Sequence, residues 1–125
     1  MGGRPRRILV GYDGSVEARR ALDAAVELAD ADSTLVVVAV AAGGEVSARR
    51  ALRDARGRLA HANVPASYEQ RRGDPADELV AAAMELGATL AVIGHSDRGA
   101  LARLVPSAVA VELLRRAPCD LLIVR

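Results

Sequence analysis

Lysine is absent from this 125-residue chain, and all 17 of its basic side chains are arginines. A Walker-type phosphate loop, G-x-x-x-x-G-K-[ST], requires a lysine, so the chain cannot contain one. Every mechanism that uses a lysine amine as nucleophile, base or charge stabiliser is excluded with it.

Aromatic residues and cysteine are almost as scarce. Aromatics make up 2% of the chain against 51% hydrophobic residues, so the core must be built from Ala, Val, Leu and Ile. The single cysteine, Cys119, cannot form an internal disulfide, which favours a reducing cytoplasm. No apolar run approaches the roughly 20 residues that span a bilayer, and residues 1–7 are polar and basic. We therefore expect a cytoplasmic protein with no membrane partner.

Charge of one sign is not in excess either, because the formal net charge is +1. A balance this close to neutral argues against nucleic acid or an anionic membrane as an obligate partner. The length suits one domain, 1–125, and the sequence contains no internal repeat or interdomain linker.

The chain does contain alternating strand-like and helix-like segments. The apolar runs 8–12, 35–40, 89–93 and 121–124 are typical of buried strands, and the polar, alternating segment 66–72 indicates an edge strand. Apolar residues recur at three- and four-residue steps between these runs, as in amphipathic helices. The expected helices follow Ser15 as N-cap, span 46–62, run from Pro75 (with Asp74 as N-cap) to Gly87, and span 107–116.

The order βαβαβαβαβ with short connections predicts the fold class α/β. It indicates an open, five-stranded, doubly wound parallel sheet with helices on both faces and right-handed crossovers. Such sheets bind ligands outside the carboxyl ends of their strands, where the strand order reverses. If the first and fourth strands are neighbours, the loops at Asp13 and Gly94 meet there.

Asp13 and Gly94 are therefore the centre of the candidate site. A loop of small residues can turn backbone N–H groups toward phosphate oxygens, and Asp13 could accept hydrogen bonds from a ribose or adenine or help hold a divalent ion.

The sequence does not match other known binding or catalytic motifs. The first strand does not lead into G-x-G-x-x-G, and Arg98 stands where G-x-S-x-G needs its second glycine. No His/Cys cluster has metal-ligand spacing.

Four segments in order resemble the universal stress protein family. The opening run from Ile8 to Ser15 resembles its first strand and Asp-Gly-Ser turn, and Gly73-Asp74-Pro75 resembles its third strand–helix junction. Ala117-Pro118-Cys119 and the strand after it resemble its closing segment. The resemblance covers nearly the whole chain and implies an adenine nucleotide alpha hydrolase-like sheet with strand order 3-2-1-4-5.

The resemblance also implies a nucleotide site in two halves. Gly11, Asp13 and Val40 would border adenosine, and the family's ATP motif, G-x-x-G-x9-G-[ST], would supply the phosphate side from Gly94 onward. The later motif positions fall on Asp97, Ser107 and Ala108, so one glycine remains and the final hydroxyl is lost. Asp97 would repel phosphates, and the loop residues expected to compensate or contact them include Arg98, Gly99 and Arg103.

Three functions follow as alternatives. The first is a family member that acts as a homodimer through partner contacts, with ATP binding weakened or lost. The second is a regulator that binds ATP or AMP, with Mg²⁺, between the ends of strands 1 and 4. The third, a slow ATPase, has the least support because no general base has a defined geometry. The family resemblance places the dimer interface on the last strand, whose residues are Leu121, Leu122, Ile123 and Val124.

Overall fold

The computed structural model describes residues 6–41, 44–95 and 108–125. Strands and helices alternate through these residues, as the sequence predicts. The strands are β1 (Arg6–Gly11), β2 (Ser33–Val40), β3 (Ala66–Arg71), β4 (Leu90–Gly94) and β5 (Asp120–Val124). The helices are α1 (Val16–Leu28), α2 (Glu45–Arg58), α3 (Pro75–Leu86) and α4 (Ala108–Arg116).

All five strands form one parallel sheet in the order β3-β2-β1-β4-β5. The predicted fold class and strand order are therefore confirmed. β1 pairs with β2 on one side and with β4 on the other, with Val10 opposite both Val37 and Val92. The strand order reverses between β1 and β4, so the crevice that binds ligands in such folds opens beyond these two strands.

Side chains that alternate along the central strands enter two separate cores. Ile8 and Val10 point to the face covered by α1 and α2, whereas Leu9 points to the face covered by α3 and α4. All three are buried, which explains why β1 is apolar on successive positions rather than on alternate ones. No helix within the described residues is long and apolar enough to cross a membrane.

The predicted helix ends are confirmed where a specific residue marks them. Ser15 Oγ accepts a hydrogen bond from the Ala18 N–H at 3.0 Å, and Asp74 Oδ2 accepts one from the Asp77 N–H at 3.0 Å. Gly87 closes α3 in the left-handed conformation, with φ of 62°.

The predicted extent of the second helix, 46–62, is wrong at its C-terminal end. α2 stops at Arg58, and the following residues form tight turns in which the Ala60 N–H bonds to the Gly57 carbonyl and the Ala62 N–H to the Leu59 carbonyl. Gly57 weakens the last helical turn, which is the physical reason for the early stop.

β3 lies at one edge of the sheet, as its polar pattern predicts, and Arg71 fastens α3 to it. The Arg71 side chain is 13% exposed and contacts three carboxylates: Glu69 at 3.1 Å, Glu78 at 3.0 Å and Glu85 at 2.7 Å. The hydrogen bonds that the guanidinium donates to Glu85 and Glu78 raise its pKa, so it stays charged. α3 is thereby held across the carboxyl end of β3.

Gly94, the last residue of β4, lies very close to the backbone of α1. A Cβ atom at this position would lie 2.5 Å from the Glu17 carbonyl oxygen and 2.7 Å from the Ala18 nitrogen. Because these are backbone atoms in the first turn of α1, they cannot rotate away as a flexible side chain would. Gly94 therefore allows α1 to lie directly against the end of β4.

We expect Gly94→Ala to destabilise the fold by about 1–3 kcal/mol or more, because the new methyl group must displace the first turn of α1. Urea unfolding followed by circular dichroism measures this change. Gly57→Ala is the matched control. A Cβ there meets no atom within 4 Å, so this variant should gain roughly 0.5–1 kcal/mol. A Gly94→Ala protein as stable as the parent would contradict this account of the contact.

Candidate functional site

The carboxyl ends of β2, β1 and β4 lie side by side, so the arrangement that the predicted nucleotide site needs is present. β1 ends at Gly11, β2 at Val40 and β4 at Gly94. The chain then continues from β1 into the Asp13 loop. We call the space beyond the ends of β1 and β4 the crevice.

Gly11 and Val40 both border the side of the sheet that α3 and α4 cover. A Cβ atom on Gly11 would lie 3.2 Å from side-chain atoms of Ile93 and Leu79, and Val40 packs against the cluster that contains these two residues. Neither residue points toward α2. The two predicted adenosine contacts therefore share one side of the crevice.

Asp13 is exposed at the top of the β1–α1 loop, and the loop is held by its own hydrogen bonds. Asp13 Oδ1 accepts a hydrogen bond from the Ser15 N–H at 2.9 Å, and Gly14 adopts a φ of 81° between them. This positive φ is strained for other residues, which explains the glycine in the Asp-Gly-Ser turn. Oδ2 of Asp13 has no hydrogen bond to any residue in the described part of the chain, so it is available to a ligand.

The phosphate half of the predicted site falls outside the described residues. Asp97, Arg98, Gly99, Arg103 and Ser107 lie in the segment 96–107 that the structure does not describe. Ala108 begins α4, but its side chain is not described. At Gly94 the structure adds a packing role, and its contact with a nucleotide stays a prediction.

A cavity that the sequence analysis did not find opens on the opposite side of the Asp13 loop, between α1 and α2. Its volume is about 310 Å³. We call it the α2 cavity. It is lined by Asp13, Gly14, Arg19, Ser47, Arg50, Ala51 and Asp54. Ser47, Arg50 and Asp54 are three and four residues apart and so share a face of α2, a spacing that could have indicated the polar wall.

Tyr12 links this cavity to the core. It is 3% exposed, and its hydroxyl donates a hydrogen bond to Asp54 Oδ2. Its ring therefore packs in the core while its hydroxyl reaches the polar edge of the cavity. The partner was not predictable, because Asp54 is 42 residues away along the chain.

Asp54 also binds two arginines and so forms the centre of a small network. Arg58 Nε lies 3.1 Å from Asp54 Oδ2, and Arg19 Nε lies 3.5 Å from the same oxygen. The network joins the end of β1, the first turns of α1 and the middle of α2. It therefore fixes α2 relative to the Asp13 loop.

The network changes the pKa values of its members. Burial, followed by the hydrogen bond to Asp54, raises the pKa of Tyr12 to about 12. The Tyr12 hydroxyl, followed by Arg58, holds the pKa of Asp54 below its usual value. Tyr12 is thus neutral and Asp54 is charged at physiological pH.

No other chemical centre is found within residues 6–41, 44–95 and 108–125. These residues contain no group of three or more His, Cys, Asp or Glu side chains that could hold a metal ion. Cys119 is half-buried with a free thiol, and burial raises the pKa of that thiol, which disfavours the reactive thiolate. The His95 N–H donates to the Val124 carbonyl at 2.7 Å and so extends the pairing of β4 with β5.

Comparison with known proteins gives a consistent set of relatives. The model of the universal stress protein family matches residues 5–64 and 45–125. A universal stress protein of Mycobacterium tuberculosis is 31% identical over 140 residues, which cover 95% of each chain. The alignment is longer than the 125 residues of this chain and therefore contains gaps.

Two solved structures share both the fold and a substantial part of the sequence. A protein of the universal stress protein family from Burkholderia pseudomallei is 35% identical and has a TM-score of 0.78, with 99% of this chain and 98% of that one covered. A universal stress protein solved in complex with cAMP is 31% identical and has a TM-score of 0.82, with 98% of each chain covered.

The Tyr12–Asp54 hydrogen bond predicts an alkaline stability effect. Because the folded-state pKa of Tyr12 lies above its unfolded value of 10.0, the stabilisation it brings is complete below pH 10 and is lost as the pH rises toward about 12. Tyr12→Phe should cost about 1 kcal/mol at neutral pH, through the lost hydrogen bond. The same substitution should also remove the part of the fall in unfolding free energy above pH 10 that comes from ionisation of Tyr12. Urea unfolding of both proteins across this pH window tests the prediction, and parallel alkaline declines would refute it.

Proposed function

Because the chain belongs to the universal stress protein family, we propose that it is a small cytoplasmic regulator whose crevice binds an adenine nucleotide with a single phosphate. We propose further that it acts as a homodimer through β5. The observation that carries the first proposal is the side-by-side position of the β2, β1 and β4 ends, with Asp13 exposed above them.

The adenosine half of the site supports nucleotide binding. Gly11 and Val40 supply an apolar border on one side of the crevice, against which a flat base can lie. Asp13 offers a carboxylate oxygen at the top, where it can accept hydrogen bonds from the adenine amino group or the ribose hydroxyls. Apolar walls with a few fixed polar groups are typical of small-molecule sites.

The phosphate half of the motif supports a ligand with one phosphate rather than three. Relative to the family motif, Asp97 replaces a glycine with a carboxylate, and Ala108 replaces a hydroxyl residue. Each change removes favourable contacts or adds repulsion along the path of a triphosphate. We propose that Mg-ATP consequently binds more weakly than AMP or cAMP.

The ligand of one relative also supports a nucleotide with a single phosphate. The universal stress protein of known structure that is 31% identical to this chain was solved in complex with cAMP, which carries a single phosphate. The proposal concerns binding and regulation rather than catalysis, because no general base with a defined geometry is found among the described residues.

The position of β5 at the edge of the sheet supports the homodimer. The Val124 carbonyl bonds to the His95 N–H, so the backbone groups of Val124 and Leu122 face β4. The backbone groups of Leu121 and Ile123 alternate with these and face away from β4. An edge that presents N–H and C=O groups beside half-buried apolar side chains is suited to pairing with a second copy.

Isothermal titration calorimetry tests the ligand. We expect AMP or cAMP to bind the parent chain, Mg-ATP to bind more weakly, and Asp13→Asn to weaken AMP binding about tenfold or more by removing a charged acceptor. Asp23→Asn, at an exposed position on α1, is the matched control and should bind normally. No heat and no thermal shift with any of the three nucleotides at millimolar concentration would refute the proposal.

Sedimentation equilibrium tests the dimer. We expect a parent dimer, and Ile123→Pro should shift it toward monomer because proline removes an outward N–H group. Ile123→Ala loses the same side chain but keeps the N–H, so it should dimerise more strongly than the proline variant. Leu122→Asp and Ile123→Asp, which put charge into the strand, should yield monomer or aggregate. A monomeric parent chain would contradict the proposal.

A further inference from the structure

The α2 cavity is separate from the crevice that we propose for the nucleotide. Only the Asp13 loop is common to both, since Gly11 and Val40 border the opposite side of the sheet and do not line the cavity. Its volume of about 310 Å³ is at the lower end of the range for small-molecule sites, roughly 300–1,000 Å³. It exceeds what a bare inorganic ion needs.

Of the charged side chains that line the α2 cavity, both carboxylates already accept hydrogen bonds within the protein, whereas the Arg50 guanidinium has no partner among the described residues. Two aspartates and two arginines line it, but Asp54 already accepts contacts from the Tyr12 hydroxyl, Arg58 and Arg19. Its negative charge is therefore balanced inside the network. Asp13 has one oxygen occupied by the Ser15 N–H.

Hydrogen-bond donors consequently outnumber acceptors at the cavity wall. The Arg50 guanidinium and the Ser47 hydroxyl have no ion pair or hydrogen bond to any described residue, and the terminal nitrogens of Arg19 lie beyond its Nε contact with Asp54. The carboxylate oxygens that remain in the described part of the chain are Oδ2 of Asp13 and Oδ1 of Asp54, because the three contacts of Asp54 all fall on its Oδ2. A guanidinium with a neighbouring hydroxyl matches the geometry of an oxyanion, which arginine binds through two parallel N–H groups.

We propose that the α2 cavity is a second ligand site, which binds a small hydroxylated molecule bearing one oxyanion group. Arg50 and Ser47 bind the oxyanion, and Asp13 accepts a hydrogen bond from a hydroxyl of the carrier. Arg19 adds positive potential while it stays paired to Asp54. The oxyanion is a phosphate ester or a carboxylate, because both present the oxygens that a guanidinium binds.

The Tyr12 network prepares this site before the ligand arrives. Tyr12 is buried, and its hydrogen bond fixes Asp54, which in turn holds Arg19 at the cavity wall. Ser47 and Arg50 lie on the same α2 that Asp54 anchors. The network therefore positions Arg19 and the backbone of α2 in the empty protein, whereas the exposed Arg50 side chain is ordered only when the ligand binds, at an entropic cost.

Titration of the ¹⁵N-labelled full chain, followed by NMR, tests the site with three probes. These are glycerol 3-phosphate, glycerate and uncharged glycerol. We expect at least one of the two anions to shift the amide signals around Asp13 and Ser47–Ala51, and glycerol to shift none. Binding of the phosphate alone would identify a phosphate ester site, and binding of both anions a general oxyanion site.

Three variants then test whether Arg50 makes the contact. Arg50→Gln should weaken anion binding about tenfold or more, as expected for a lost charged hydrogen bond. Arg53→Gln is the matched control: it removes an exposed arginine of α2 that does not line the cavity, so it should leave binding unchanged. Arg50→Lys, which keeps the charge, should restore part of the affinity.

Any of three results would overturn the proposal of a second site. The amide signals could fail to shift with either anion, Arg50→Gln and Arg53→Gln could lose equal anion affinity, or the shifted signals could centre on Gly94 and α4 rather than on α2. AMP binding, measured on the same Arg50→Gln sample, should match that of the parent chain. The second site can therefore fail while nucleotide binding stands, and nucleotide binding can fail while the second site stands.

Discussion

The contact between the first turn of α1 and Gly94 determines how the rest of the site is arranged. At this point the backbone of Glu17 and Ala18 lies where any larger residue on β4 would have its Cβ. The start of α1 can therefore pack onto the end of β4 rather than staying above β1. The Asp13 loop, which leads from β1 into α1, is carried with it to the point where the strand order reverses.

Two sites of different chemistry can then lie on either side of one short loop. On the α3 side, Gly11 and Val40 provide an apolar border that suits a base. On the α2 side, the Tyr12–Asp54 hydrogen bond joins α2 to the end of β1, and the arginines around it make a polar cavity. Asp13 is exposed between them and offers one free carboxylate oxygen to the crevice or to the cavity. A ligand in either place would therefore be sensed at the same loop.

The sequence predicted the fold well because its strongest signals are local. Strands buried on both faces appear as continuous apolar runs such as 35–40, and residues such as Asp74 and Gly87 mark helix ends by their own chemistry. The end of α2 was missed because the apolar spacing continues past Gly57 although the helix does not. Periodicity reports which face is buried, not where the backbone stops being helical.

The site was predicted less completely, and the reason is sequence separation. The pairing of Tyr12 with Asp54 spans 42 residues, and no local pattern around either residue specifies it. The packing role of Gly94 likewise depends on α1, which begins far earlier in the sequence, at Val16. The family resemblance supplied Gly11, Asp13, Val40 and Gly94 as nucleotide contacts, and the structure places the first three at the carboxyl ends of the neighbouring strands β1 and β2.

The most direct measurement of the central claim is a crystal structure of the chain grown with AMP. The account predicts the base beside Gly11 and Val40 with the ribose or amino group at Asp13, and an empty crevice, or AMP bound elsewhere, would contradict it.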